Sequence, residues 1–138
     1  MTPGDLDIMA RTIYGEARGQ PYEGKKAVAH VILNRLLRYV NDNTISKVCL
    51  RHLQFSCWNR GDPNVVTLQT VPLDDLQAAT STDKEFRSCL RAALEAFDEE
   101  DFTKGATHYH TPAVSPPWSQ GKTPCLVIGG HRFFNNID

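Results

Sequence analysis

Leu6, Met9, Ala10, Ile13 and Ala17 recur three and four residues apart and predict a helix over about 5–18, which Gly19 and Pro21 end. A second helix is expected over about 22–40. There Ala27, Val28, Val31, Ile32, Leu33, Leu36 and Leu37 cover most of the circumference, as in a central buried helix. Gly24 near its start points to close packing. Residues 41–43 form a turn cluster, and Thr44 can cap a short helix reaching 48. No period holds over 50–71, which reads as a long ordered loop of the kind that often carries function. A minor helix is expected at 73–79. Thr82-Asp83-Lys84-Glu85 forms a capping box opening a helix to about 97, with Phe86, Cys89, Leu90, Ala93 and Phe97 as its core stripe. The pattern then changes. Residues 106–111 alternate aromatic with polar, 125–128 read as a strand, and Gly129-Gly130 is a hairpin turn returned by 131–134. Helices followed by a small antiparallel sheet predict an α+β fold, a single domain over 1–138.

Composition narrows the function classes. Fifteen Lys and Arg against sixteen Asp and Glu leave a net charge of −1, which argues against a nucleic-acid partner held by phosphate attraction. Charged residues at 22% and hydrophobic ones at 41% exclude disorder and low complexity. The longest apolar stretch, 27–33, is broken by His30 and is too short for membrane insertion. Residues 1–5 have neither the basic region nor the apolar core of a Sec signal, so synthesis in the cytoplasm is expected. Cys49, Cys57, Cys89 and Cys125 allow three full pairings. They contain no C-x-x-C, and reduced structural thiols are the expectation, Cys89 being buried on its helix.

Glu16 carries the first candidate chemistry. It flanks the apolar stripe beyond Met9 and Ile13, near a helix C-terminus whose dipole disfavours negative charge. A carboxyl so placed is a candidate general acid. Tyr14, Gly15 and Gly19 leave room for a bulky substrate to approach the backbone. Spacing alone favours a plainer arrangement, an ion pair with Arg18 or Arg35. In Thr107-His108-Tyr109-His110, strand alternation puts His108 and His110 on one face. With His131 they would form a three-His zinc site of an amidase or peptidase, although no carboxylate close in sequence would orient them. A third group is aromatic and polar together: Phe55, Trp58, Tyr109 and Trp118, with Gln54, Ser56 and Asn59. Such residues fit a saccharide groove, where rings stack on sugars and amides meet hydroxyls. Aromatic side chains are nonetheless more often core. Pro112, Pro116 and Pro117 would stiffen a loop at the groove's rim. His30 and His52 call for no more than a core or surface role, and the acidic run 98–101 reads as a solvated helix end.

The run Ile13-Tyr14-Gly15-Glu16-Ala17-Arg18-Gly19-Gln20-Pro21-Tyr22-Glu23-Gly24, with Ala27-Val28-Ala29-His30-Val31-Ile32-Leu33-Asn34-Arg35, resembles the SleB/CwlJ family of cell-wall hydrolases. The likeness continues through Asn43-Thr44-Ile45, Gln54-Phe55-Ser56, Gly105-Ala106-Thr107-His108-Tyr109 and Gly130-His131-Arg132-Phe133-Phe134, in order along nearly the whole chain. It implies a lysozyme-like or lytic-transglycosylase-like domain that cleaves peptidoglycan between N-acetylmuramic acid and N-acetylglucosamine, with no cofactor. It also implies Glu16 as the catalytic acid and places Gln54 to Ser56 and Thr107 to Tyr109 in the glycan groove. Tyr14, Trp58 and Trp118 complete the expected substrate-binding set. Two departures stand out. Gln20 replaces a second Glu of many relatives, leaving Glu23 or Asp62 to assist any attacking water, and His110-Thr111-Pro112 departs from the family's usual continuation. The expected protein is a monomer acting on glycan strands, a phage endolysin released to the wall by a holin. A non-catalytic wall-binding module is the remaining alternative.

Overall fold

The computed structural model describes residues 2–39, 41–51, 55, 58 and 81–137, with 81–83 as backbone. Among these residues, helices α1 (Pro3–Ala17), α2 (Tyr22–Arg38), α3 (Ile45–Leu50) and α4 (Ser81–Asp98) precede strands β1 (His108–His110), β2 (Leu126–Ile128) and β3 (His131–Phe134). A 3-10 turn, Pro117–Ser119, lies between β1 and β2. This is the α+β order expected. Gln54, Ser56, Cys57, Asn59, Asp62, His52, most of the 50–71 loop and the 73–79 helix lie outside the described residues.

One core unites the layers: Met9 and Ile13 of α1, Val28 and Ile32 of α2, Phe86 and Ala93 of α4, and Phe133 of β3. The start of α1 is two residues earlier than periodicity implies, because Thr2 and Asp5 form a reciprocal capping box and Pro3 occupies the first turn. Asp5 also accepts from Ser46 N at 3.1 Å and Ser46 Oγ at 2.6 Å, tying α1 to α3. Ser46 and Thr2 hold its carboxyl at about 2. Thr44 caps α3 as expected, accepting from Lys47 N at 3.1 Å.

The apolar face of α2 is narrower than predicted. Leu37 is 84% exposed, on the opposite side of the helix from Arg35, and that charged residue takes the buried position. Phe97 is likewise exposed, in the last turn of α4. Glu85 of the expected capping box makes tertiary contacts: its carboxylate accepts from Lys25 Nζ at 2.9 Å and Gly19 N at 3.2 Å. The acidic run after α4 is not simply solvated. Glu99 meets Lys26 Nζ and His30 Nε2, each at 2.9 Å, and Asp101 accepts from Asn34, Thr103 and Gly105. Asn34 Nδ2 also donates to Ala106 O at 2.9 Å, and Arg35 Nε to Thr107 O at 2.6 Å. Consecutive residues of α2 thereby fix the segment that enters β1.

The sheet order is β1-β3-β2, antiparallel throughout, with Tyr109 opposite Phe133 and Ile128 opposite His131. The hairpin turn requires glycine at 129, where φ is +54° and an added Cβ would lie 2.5 Å from Gln20 Oε1. Gln20 Oε1 accepts from Gly130 N at 2.8 Å. The residue that departs from the family pattern thus clips the α1–α2 turn to the hairpin. Cys49, Cys89 and Cys125 are free, and burial pushes the thiols of Cys49 and Cys89 up to about 12, which leaves them inert.

Candidate active site

A cleft of about 610 Å³ opens between the end of α1 and the edge strand β1. Glu16 comes from the last turn of α1, where Ala17 is buried and Glu16 is half-buried beside it. Its wall opposite is built from the β1 segment and the 3-10 turn. Alternation along β1 sends Tyr109 toward the core side of the sheet, and its hydroxyl donates to Glu16 Oε1 across 93 residues of sequence. The Tyr109 ring is held by His131 at 4.9 Å, Phe133 at 5.6 Å and Phe55 at 6.4 Å between centroids.

On the other face of β1, His108, His110 and Phe134 cluster around the half-buried Trp118, with centroid distances of 4.9, 5.6 and 5.3 Å. This aromatic surface, with Thr111, Val114 and Pro116, forms the cleft's rim. Burial, with Arg35 and Arg38 nearby, lowers His108 to about 4, and burial also depresses His131. Both rings are therefore neutral at pH 7. Arg35 reaches the cleft from α2 while only 5% exposed, its guanidinium 4.7 Å above the Phe55 ring. Burial disfavours its charge, against the attraction of Tyr109, Tyr39 and Glu16.

The expected site residues divide. Glu16, His108, Tyr109 and Trp118 converge on the cleft. Tyr14 and Phe55 are instead core residues, 4% and 1% exposed, with Tyr14 against Phe86 and Phe55 beneath Arg35. Trp58 packs against the core and donates to Thr12 Oγ1 at 2.8 Å. Thr107 is buried and acts from behind, its carbonyl holding Arg35 and its Oγ1 lying 2.9 Å from His108 Nδ1. Glu23 is exposed on α2 and faces Lys26 at 3.7 Å. Glu16 is consequently the one carboxylate among the described residues that line the cleft.

The three-His zinc arrangement does not form. His131 pairs with Ile128 in the register that puts it on the Tyr109 face, whereas His108 and His110 project from the opposite face. No group of three His, Cys, Asp or Glu among the described residues is placed to hold a metal. From sequence Arg35 was marked only as a possible ion-pair partner of Glu16 and His131 only as a possible zinc ligand; both line the cleft. The available signal for Arg35 is a charge at the i+4 and i+7 continuation of Val31 and Val28 on a buried helix face.

A family model described as Cell Wall Hydrolase matches residues 19–134, beginning just past Glu16. Spore cortex-lytic enzymes of Halalkalibacterium halodurans and Oceanobacillus iheyensis are 34% identical over 132 residues and 50% identical over 130. These matches cover 95% and 94% of this chain but 34% and 41% of those proteins, so the chain spans well under half of their length. The catalytic domain of the germination-specific lytic transglycosylase SleB from Bacillus anthracis has the same fold. The TM-score is 0.70 at 30% identity, covering 96% of this chain and 95% of that one. The chain belongs to the cell wall hydrolase family. It is an enzyme domain of the SleB type, as the SleB/CwlJ-like motifs lead one to expect.

Proposed function

We propose that this domain cleaves the glycan strand of peptidoglycan between N-acetylmuramic acid and N-acetylglucosamine, as a lytic transglycosylase with Glu16 as its acid. The carrying observation is a cleft walled by aromatics in which Glu16 is the one carboxylate among the described lining residues, with Tyr109 donating to it. Ordinary retaining and inverting glycosidases place two carboxyl groups across the scissile bond. One group suffices if it works twice. Protonated Glu16 gives its proton to the glycosidic oxygen, the bond to C1 breaks, and the muramic acid ring passes through an oxocarbenium-like state. The resulting Glu16 carboxylate takes the proton of the 6-hydroxyl as that oxygen bonds to C1, closing a 1,6-anhydro ring and restoring the acid. Trp118 offers an apolar face for stacking a sugar ring, and neutral His108 beside it offers a hydrogen-bonding edge.

Digestion of purified peptidoglycan followed by mass analysis tests this. The expected product is one water lighter than the hydrolytic one, and its yield should collapse in Glu16→Gln. Recovery of reducing-end muramic acid alone would replace the transglycosylase route with hydrolysis, for which the exposed Glu23 is poorly placed. We further propose the endolysin role. Expression inside a bacterium should lyse it only when a holin is co-expressed, and lysis without one would refute that delivery route.

A further inference from the structure

Charge is divided unevenly between the two layers. Residues 102–137, which form the sheet and its loops, hold Lys104, Lys122 and Arg132 and no Asp or Glu, whereas residues 1–101 hold fifteen acidic residues against twelve Lys and Arg. Several cations of the helical layer meet acids: Lys25 meets Glu85, Lys26 meets Glu99 and Arg11 meets Asp7. Arg132 is exposed, and its side chain has no ion pair or hydrogen bond among the described residues. Its place is set by register. It stands opposite His110 on β1 and opposite Val127 on β2, so the three side chains form one row across the outer face of the sheet. His110 lines the cleft, beside Trp118 at 5.6 Å between centroids, and Val127 is 59% exposed. The row therefore starts at the cleft's rim and crosses β3 to β2. With neighbouring strands about 4.8 Å apart, it runs roughly 10 Å.

We infer that this row is a docking surface for the stem peptide of the glycan strand in the cleft, Arg132 pairing with a stem carboxylate. The inference rests on the proposed peptidoglycan substrate. A stem peptide branches from the lactyl group of muramic acid and has to leave the cleft over its rim. Three extended residues span about 10 Å, the length of the row. The stem is a short chain of small apolar residues and carboxylates. A guanidinium takes a carboxylate through two parallel N–H···O bonds, and exposed Val127 offers an apolar contact for an alanine methyl group. No acidic side chain of the sheet layer competes for the guanidinium. The hydroxyl and acetamido groups of the glycan are neutral, so a cation here selects for the charged branch of the substrate and not for its backbone. Arg132 thereby becomes a specificity-determining residue outside the chemistry.

The test compares wild type, Arg132→Gln, Arg132→Lys and Arg132→Glu, each checked by circular dichroism, on peptidoglycan stripped of teichoic acid. Three forms of that substrate are used: stems intact, stem carboxylates converted to amides, and stems removed by an amidase. On intact stems Arg132→Gln should raise KM about 3–10-fold with kcat little changed, the range for a charge-assisted pair at a partly exposed surface. Arg132→Glu should raise it further, and Arg132→Lys should keep part of the binding. Amidating or removing the stems should bring wild type and Arg132→Gln within about 2-fold of each other, and salt at about 0.5 M should shrink the wild-type advantage. Equal slowing of all three substrates, or no effect on intact stems, overturns the inference. So does an effect that appears only when teichoic acid is left in place, which would assign Arg132 to wall phosphates. If wild type cleaves none of the substrates, the glycosidase reading fails separately. Co-sedimentation with the same three wall preparations then decides the docking surface. A Kd about 3–10-fold weaker for Arg132→Gln on intact stems alone supports it, and any other pattern refutes it.

Discussion

Replacing Tyr109 by Phe removes one oxygen and leaves the ring. That ring sits among Phe55, His131 and Phe133, so its packing survives, and the loss of stability should stay within about 1 kcal/mol. The missing hydroxyl is the one that donates to Glu16 Oε1. In the proposed mechanism Glu16 has to present its proton to the glycosidic oxygen and then hold negative charge until the 6-hydroxyl is deprotonated. A donor to that carboxylate is worth about 1.5–3 kcal/mol as a charge-assisted bond. If the bond strengthens as the charge develops, kcat should fall roughly 10–100-fold, each 1.4 kcal/mol being tenfold. KM should change little, because the oxygen is committed to Glu16 and not to the sugar. The assay is release of soluble muropeptides over a range of peptidoglycan concentrations, with circular dichroism as the fold control. An unchanged kcat in a folded Tyr109→Phe protein would refute the view that this phenol aligns and stabilises the acid. A loss confined to KM would move Tyr109 into substrate binding.

Glu16→Gln should reduce activity by at least about 10²–10⁴-fold with an unchanged thermal midpoint, and normal lysis by a folded variant would mean that another group supplies the proton. Trp118→Ala should raise KM by about tenfold by removing a stacking surface, with a smaller effect on kcat; the reverse split would assign Trp118 to the chemistry. Acidification should erode stability in two windows. His108 is at about 4 in the fold against 6.5 when free, so the unfolded chain binds the proton first and stability falls between about pH 6.5 and 4, a slope that His108→Gln should flatten in a urea titration. Asp5 is depressed from 3.8 to about 2, so its contribution is complete above pH 4 and disappears as pH falls through 2; Asp5→Ala should cost about 1 kcal/mol at neutral pH and progressively less below pH 3.8. Chelator should leave activity intact, and loss restored by zinc would revive the three-His reading.

Periodicity made the framework readable because each helix sets an apolar stripe against one core: Met9 and Ile13, Val28 and Ile32, Phe86 and Ala93 all face it. The hairpin was equally plain from Gly129-Gly130, since a turn of that kind demands backbone freedom at a known place. Long-range partners were harder to read. Glu85 has the spacing of a local cap, and its carboxylate also meets Lys25 and Gly19; Glu99 looks solvated and is claimed by Lys26 and His30. Nothing in a one-dimensional pattern distinguishes an acid that caps its own helix from one that meets another. For the site, Glu16 was marked by its place at the edge of the stripe and by the family motif. Trp118 and Tyr109 were marked by aromatic content, and His108 by the family motif and as a possible zinc ligand. Aromatic content does not tell groove from core: Phe55 is buried, and so is Tyr14, which was expected in the groove from its place beside Glu16. Strand alternation separated His108 from Tyr109 correctly, but the side taken by His131 depended on the register of a second strand. Arg35 was legible only as a possible partner of Glu16, and its burial was not, because spacing called for an aliphatic residue there.

The bond between Tyr109 and Glu16 joins the first helix to the first strand, whereas most of the core lies in the helices that come between. The two partners are 93 residues apart, so Glu16 is made long before the hydroxyl that aligns it. On the proposed mechanism the site is complete only when the sheet docks, so the segment from His108 onward decides when the acid is aligned.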